Sequence, residues 1–306
     1  MKIAAGIALF AAVLFLSASV PEPPPLPGQT AGPGGAVVVR SVENMYRRPD
    51  PASDVVSQAL LGDNVRILEP MKNFAGEEWF RIETPDTYRG WIAASALRLF
   101  KEGERAYASR GKIFAVTALV AYIYVDPDVT ARKPVMAAPI SAVLEVRGER
   151  GERWLETTLP SGDGAWIQKG DGELHDAPWT WPRTTPDEMV ALSKRFLGLP
   201  YLWGGMSPLG LDCSGFVQLI YKMSGISILR DADIQFEGSG LVPVAAGDER
   251  AGDLVFFEKG IGHVGMMINA EEFINATVHE RPVVQISRLK DPYWQGIYQG
   301  ARRPRK

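Results

Sequence analysis

Cysteine is nearly absent from this chain: its 306 residues hold one, Cys213, and only three histidines, His175, His263 and His279. A lone thiol excludes an internal disulfide framework, and so few Cys and His exclude a zinc site built from them; no metal or other cofactor is expected. Neither sign of charge dominates. With 33 Lys+Arg against 36 Asp+Glu the formal net charge is −3, which offers no basic face or stripe to nucleic acid. The basic end, Arg302, Arg303, Arg305 and Lys306, reads as a solvated tail. Long apolar runs are missing after the N-terminus, so nothing later has the roughly 20 residues that a membrane helix needs.

The N-terminus itself has an export pattern. "MKIAAGIALFAAVLFLSAS" joins Lys2 to an apolar stretch over residues 3–16 and then to small residues suited to cleavage. Residues 1–19 are therefore read as a signal peptide, with an uncleaved anchor as the alternative. Cleavage implies a periplasmic or extracellular protein with no stable membrane insertion. Residues 20–35, "VPEPPPLPGQTAGPGG", form a Pro/Gly-rich linker. In an exported protein, an unpaired cysteine is an inert buried residue, an intermolecular partner or a nucleophile.

Residues 36–100 alternate as short strands broken by turn signals such as "PDPAS" and "GDN". The order of pieces, ending in "YRGWIAASAL", resembles a bacterial SH3-like barrel. Residues 101–172 repeat it more loosely, with Trp154 and "AWI" echoing Trp79 and "GWI". Residues 173–183 lie in a proline-rich, aperiodic stretch read as a linker, which makes His175 a surface residue. Beyond it, from residue 184 to 306, the period becomes helical and then strand-like. Thr185-Pro186-Asp187-Glu188 is a helix start with cap, proline and capping-box glutamate. Met189, Leu192 and Phe196 continue at helical spacing, and Gly198 stops the helix. A second helix starts at Cys213 and ends at Gly225. "DLVFF", "GHVGMMI", "EFINAT" and "PVVQIS" then read as strands, giving an α+β domain.

On the second helix Cys213 shares a face with Phe216, Val217 and Ile220, at the end where unpaired N–H groups favour a thiolate. Folding "GHVGMMI" back on "EFINAT" through a three-residue loop at Ile268-Asn269-Ala270 sets His263 directly opposite Asn275. Cys213 as nucleophile, His263 as base and Asn275 as orienter follow the logic of a triad. His279 lies too far along the strand to be the better base.

The run "LPYLWGGMSPLGLDCSGFVQLIYKMSG", then "RDADIQ", "AGDLVFF", "GHVGMMI" and "FINAT", resembles the NlpC/p60 cysteine peptidases of bacterial cell walls over residues 184–300. The resemblance implies a papain-like α+β catalytic domain preceded by two small all-β SH3-like barrels. It implies hydrolysis of peptidoglycan stem peptides at the γ-D-Glu–diaminopimelate, or L-diamino acid, bond. It makes Cys213 the nucleophile, His263 the base and Asn275 the third member, where the family more often has histidine. Tyr201 matches an oxyanion donor, and Asp212, Ser214 and Asp231 match substrate contacts. Tyr88 matches a tyrosine of the first barrel that holds the amine of L-Ala. The partnering glutamate is replaced by Val56, two residues before Gln58, leaving Asp54 or Asp63 to supply the charge. Two alternatives stay open: a cell-wall peptide-binding protein with an inactive domain, and another thiol enzyme such as an amidase or acyltransferase.

Overall fold

The computed structural model describes residues 34–74, 76–131 and 133–305. The expected signal peptide, and all but the last two residues of the expected Pro/Gly linker, lie outside the described residues. No described helix is long and apolar enough to cross a membrane.

The first unit has seven strands: β1 (Gly35–Val38), β2 (Val42–Tyr46), β3 (Val55–Leu60), β4 (Asn64–Phe74), β5 (Glu77–Glu83), β6 (Arg89–Ala93) and β7 (Leu97–Leu99). They pair in the order β3-β2-β6-β5-β4-β1-β7 around a core that includes Ala36, Val38, Met45, Ala59, Ile82 and Ile92. The second unit has β8 (Gly111–Val116), β9 (Val120–Tyr124), β10 (Met136–Pro139), β11 (Val143–Arg150), β12 (Trp154–Thr158), β13 (Gly164–Gln168) and β14 (Gly172–Ala177). Its order, β10-β9-β13-β12-β11-β8-β14, is the same permutation of seven strands. The tryptophan echo is also structural, since Tyr46 meets Trp79 and Tyr124 meets Trp154 edge-on, each at 5.5 Å.

One boundary differs from the sequence reading. Residues 173–177, expected in the linker, belong to β14, which pairs with β8 along its whole length. The prolines that marked this stretch begin only at Pro178, so the strap starts there. His175 is accordingly a strand residue, stacked on Trp179 at 4.3 Å.

The C-terminal unit opens with α1 (Pro186–Lys194), whose Thr185 and Glu188 make the expected reciprocal cap. The helix ends before Phe196. Arg195 N–H turns back to Leu192 and Gly198 N–H bonds Val284, so this segment joins the sheet instead. Next come β15 (Met206–Ser207), β16 (Gly210–Leu211), α2 (Cys213–Met223), α3 (Ala232–Gly238) and β17 (Val242–Val244). β18 (Leu254–Phe257), β19 (His263–Met267), β20 (Glu272–Thr277), β21 (Val283–Arg288), α4 (Pro292–Ile297) and β22 (Tyr298–Arg303) complete the chain. Strands β17-β22-β18-β19-β20-β21 form one antiparallel sheet. Alternate residues bury opposite faces: Phe256, Val264, Met266 and Ile274 pack with α2, while Phe257, Met267 and Phe273 pack with Trp294 of α4. Helices gathered against an antiparallel sheet make this the expected α+β unit.

Candidate active site

The turn before α2 is built to hold Cys213 at a helix start. Asp212 is the N-cap: its Oδ1 accepts the Gly215 N–H at 2.7 Å and its Oδ2 the Gly204 N–H at 3.0 Å. Arg230 grips the same carboxylate from Nη1 at 3.0 Å and Nη2 at 2.6 Å, and its Nη1 also donates to Ser214 Oγ at 2.9 Å. Asp212 and Ser214, expected as substrate contacts, are thus buried in a network that braces the turn. Arg230, only 1% exposed, had no sequence signal of its own beyond its place in "RDADIQ". A buried guanidinium needs a carboxylate, and a partner search for Asp212 would have been the route to it.

The Cys213 sulfur faces the backbone N–H groups of Val264 and Ser214, so it abuts the strand that starts at His263. The thiol is not poised as a thiolate. Burial, and then the Asp212 charge, push it up to about 12 against the help of those N–H groups and Arg230. The expected lowering fails first because the sulfur is buried, and second because the positive end of α2 is already met by the carboxylate of its own cap.

His263 is held in one tautomer. Its Nε2 lies 3.0 Å from Asn275 Oδ1. The Asn275 Nδ2 donates to the Gln285 carbonyl at 3.3 Å and to Ser287 Oγ at 3.2 Å. A carbonyl only accepts, so the amide nitrogen faces Gln285 and the oxygen must face the imidazole. Nε2 therefore carries the proton, and Nδ1 is the basic nitrogen. Burial pulls the ring down to about 4, opposed by the Asn275 bond and the Asp212 charge. Trp294 of α4 stacks on the ring at 5.2 Å.

The hairpin that joins these two residues differs from the expected register. Met266 pairs with Ile274 and Met267 with Phe273, around a loop at residues 269–271 in which Asn269 Oδ1 accepts the N–H of Glu271 and Glu272. A loop centred one residue later moves every pairing by two, which preserves the face. Asn275 thus reaches His263 diagonally, past Gly265. A Cβ on Gly265 would lie 3.2 Å from Asn275 Cβ and 2.5 Å from the Phe273 ring. Gly265 is a positioning residue that periodicity did not mark.

Tyr201 is half-buried, and its hydroxyl is pushed above its ordinary range by burial and then by the nearby Cys213, so it stays a proton donor. The first barrel closes the neighbouring side. Tyr88 donates to Asp231 Oδ2 at 3.0 Å, Arg230 Nε to Ser57 Oγ at 3.0 Å, Met206 N–H to Gln58 Oε1 at 2.9 Å and Trp203 Nε1 to the Val55 carbonyl at 3.1 Å. The glycine after Trp203 permits this approach, since Gly204 has φ +75 and a Cβ there would lie 2.8 Å from Val55 Cγ1. Burial raises the Asp231 carboxyl although Arg230 and Tyr88 oppose it. Asp54 pairs with Arg47 at 3.3 Å on the surface, and Asp63 accepts the Leu60 N–H in its own turn at 2.8 Å. Each is engaged elsewhere, and the structure joins neither to the Tyr88–Asp231 pair. His279 stacks on Tyr293 at 3.7 Å and takes no part in the His263–Asn275 pair.

Residues 198–303 match the NlpC/P60 family, and residues 45–97 match the bacterial dipeptidyl-peptidase Sh3 domain. A γ-D-glutamyl-L-lysine dipeptidyl-peptidase of Bacillus cereus is 32% identical over 260 residues, which is 82% of this chain and 76% of that protein. The murein DD-endopeptidase MepH of Escherichia coli is 39% identical over 122 residues, 37% of this chain and 45% of that protein. The crystal structure of an NlpC/P60 family protein from Bacillus cereus aligns with a TM-score of 0.76 at 26% identity, covering 88% of this chain and 99% of that one. With these two domains in order and a relative matched through most of its length, the chain belongs to the NlpC/P60 family and is a cysteine peptidase.

Proposed function

We propose that the protein hydrolyses peptidoglycan stem peptides at the γ-D-Glu–L-diamino acid bond, diaminopimelate included, in the periplasm or outside the cell. Cys213, His263 and Asn275 are its catalytic triad. The units that carry this are the barrels over residues 36–100 and 101–177 and the catalytic domain over 184–306. The observation that carries the proposal is the His263–Asn275 bond at 3.0 Å, made on the strand whose next N–H faces Cys213.

A neutral thiol beside a neutral imidazole needs the proton to move as the bond forms. Nδ1 of His263 takes the Sγ proton while Sγ adds to the γ-carbonyl carbon. The resulting oxyanion is met by the Cys213 N–H in the first turn of α2 and by the Tyr201 hydroxyl. Collapse breaks the C–N bond, and Nδ1–H delivers its proton to the departing α-amine of the diamino acid. Water, losing a proton to the same nitrogen, then opens the thioester and restores the thiol. Asp212, Ser214 and Arg230 hold the turn in place during these steps.

On the acyl side, Tyr88 and Asp231 face the substrate's N-terminal amine. Val56 adds no charge there, so recognition of the amine falls to Asp231, oriented by Tyr88. Incubation with L-Ala-γ-D-Glu-diaminopimelate should release the dipeptide L-Ala-γ-D-Glu, and Cys213→Ala should abolish that release without unfolding the protein. Tyr88→Phe should raise KM with little change in kcat. Cleavage at another bond, or none, refutes this reading.

A further inference from the structure

A cavity of about 540 Å³ opens beside β20, β21 and α4 of the catalytic domain, with Glu272, Glu280, Arg288, Asp291, Tyr293 and Trp294 among its walls. Two contacts tie it to the proposed triad. Trp294 stacks on the His263 ring at 5.2 Å, and Ser287, another wall residue, accepts the Asn275 Nδ2–H at 3.2 Å. Neither Tyr88 nor Asp231, nor any residue of the first barrel, lines it.

The lining carries both signs of charge, and only part of that charge is engaged. Glu272 Oε2 accepts the Asn269 Nδ2–H at 3.0 Å, and Glu272 Oε1 lies 3.8 Å from Arg288 Nε. The terminal nitrogens of Arg288 have no partner among the described residues, and its side chain is 73% exposed. Glu280 and Asp291 are exposed and have no ion pair among the described residues. An aromatic wall completes the recess. The His279 ring stacks on Tyr293 at 3.7 Å, and Gln285 Nε2 donates to the His279 carbonyl at 2.8 Å, so this wall is fixed before any ligand arrives.

We propose that this cavity is the leaving-group subsite, and that it selects diaminopimelate over lysine as the diamino acid. The inference rests on the proposed function, in which Nδ1–H of His263 protonates the departing α-amine. The side chain of that departing residue then starts beside the imidazole and Trp294, and when extended it reaches about 6 Å beyond its α-carbon. The far end of diaminopimelate is an ammonium and a carboxylate on one carbon. Glu280 and Asp291 supply acceptors for the ammonium, Arg288 supplies a forked donor for the carboxylate, and the Tyr293 ring covers the methylenes between. Lysine ends in an ammonium alone and leaves the guanidinium without a partner. Carboxylates alone would accept either residue; the unengaged ends of Arg288 tell them apart.

The test measures kcat/KM of the full chain on three soluble peptides: L-Ala-γ-D-Glu followed by meso-diaminopimelate, by L-lysine or by L-norleucine. The diaminopimelate peptide should be cut about tenfold more efficiently than the lysine peptide, through KM, and Arg288→Gln should bring that ratio to about one. Glu280→Gln with Asp291→Asn should raise KM about tenfold for the lysine peptide and less than about twofold for the norleucine peptide. Equal efficiency of the wild type on diaminopimelate and lysine, or a ratio left intact by Arg288→Gln, overturns the proposal. The first comparison needs no variant, so it stands even if a variant misfolds. If the wild type cuts none of the three, the proposed function falls, and titration of the peptides into Cys213→Ala reads the cavity by itself. Tighter binding of the diaminopimelate peptide, lost in Cys213→Ala/Arg288→Gln, supports the subsite, and equal binding of the diaminopimelate and lysine peptides overturns it.

Discussion

Changing Asn275 to aspartate keeps the shape of the third side chain of the proposed triad and adds a charge 3.0 Å from His263 Nε2. In the parent, a neutral amide orients the ring and burial sets its basicity at about 4. A carboxylate at that place adds attraction on the order of 4 kcal/mol, for ~4 Å between charges at an effective dielectric near 20, or roughly three pKa units. Two effects work against it. One carboxylate oxygen would face the Gln285 carbonyl, which now accepts from Nδ2 at 3.3 Å, and Asn275 is fully buried. Both favour the protonated acid. The net rise should therefore be about one to three units, moving the acid limb of kcat/KM from near 4 to roughly 5–7. Dipeptide release measured from pH 3.5 to 8 reads that limb, and iodoacetamide alkylation of Cys213 gives an independent profile. Asn275→Ala should do the opposite, because it removes the bond that supports the charged ring; its limb should fall, with a rate loss of about tenfold or more. A limb that stays near 4 in Asn275→Asp, in a protein that melts as the parent does, would refute the account of how the base is set.

Three further outcomes follow from the same contacts. His263 is held below its unfolded value, so the unfolded chain takes up that proton first; the stability it contributes is complete above about pH 6.5 and is lost as pH falls to about 4. The loss is on the order of 3 kcal/mol, and denaturant titrations of the parent against His263→Gln should show it as a shallower pH slope in the variant. Arg230→Ala leaves Asp212 buried and unpaired, which should cost about 3–5 kcal/mol and slow thiol alkylation, whereas Arg230→Met with Asp212→Asn should recover stability in the same denaturant assay. Gly265→Ala drives a Cβ into Phe273 and Asn275. It should cost about 1–3 kcal/mol and lower kcat more than it raises KM, which steady-state kinetics on the tripeptide would separate.

What was legible in the sequence was what local rules carry. The cap of α1 needs only Thr185, Pro186 and Glu188, and the structure makes all of it. The start of α2 at Cys213 and the face shared by His263 and Asn275 were also open to periodicity, because helix and strand phase survive small errors of placement. The register was not legible to the residue. Asn269 closes the loop through its side chain, and a strand pattern does not weigh that bond. Residues 173–177 were lost to the linker because composition was read over a window that also held Pro178 and Pro182.

Arg230 stayed hidden for a different reason: its partners, Asp212, Ser214 and Ser57, come from two units and are up to 173 positions away in sequence. The state of the thiol was misjudged because burial, which raises it most, comes from tertiary packing that no local rule carries. A helix N-terminus alone favours a thiolate, yet this one is capped by a carboxylate, and that carboxylate can be buried only because Arg230 neutralises it. Ser57 of the first barrel in turn accepts one of the guanidinium's N–H bonds. Taking the barrel away would expose Arg230 to water, weaken its hold on Asp212 and disturb the turn that carries Cys213. The barrel therefore helps to hold the turn that carries Cys213, while its Tyr88 bonds Asp231 on the same side. On this reasoning, changes at Ser57 should appear in thiol reactivity, although that side chain belongs to a different unit from the sulfur.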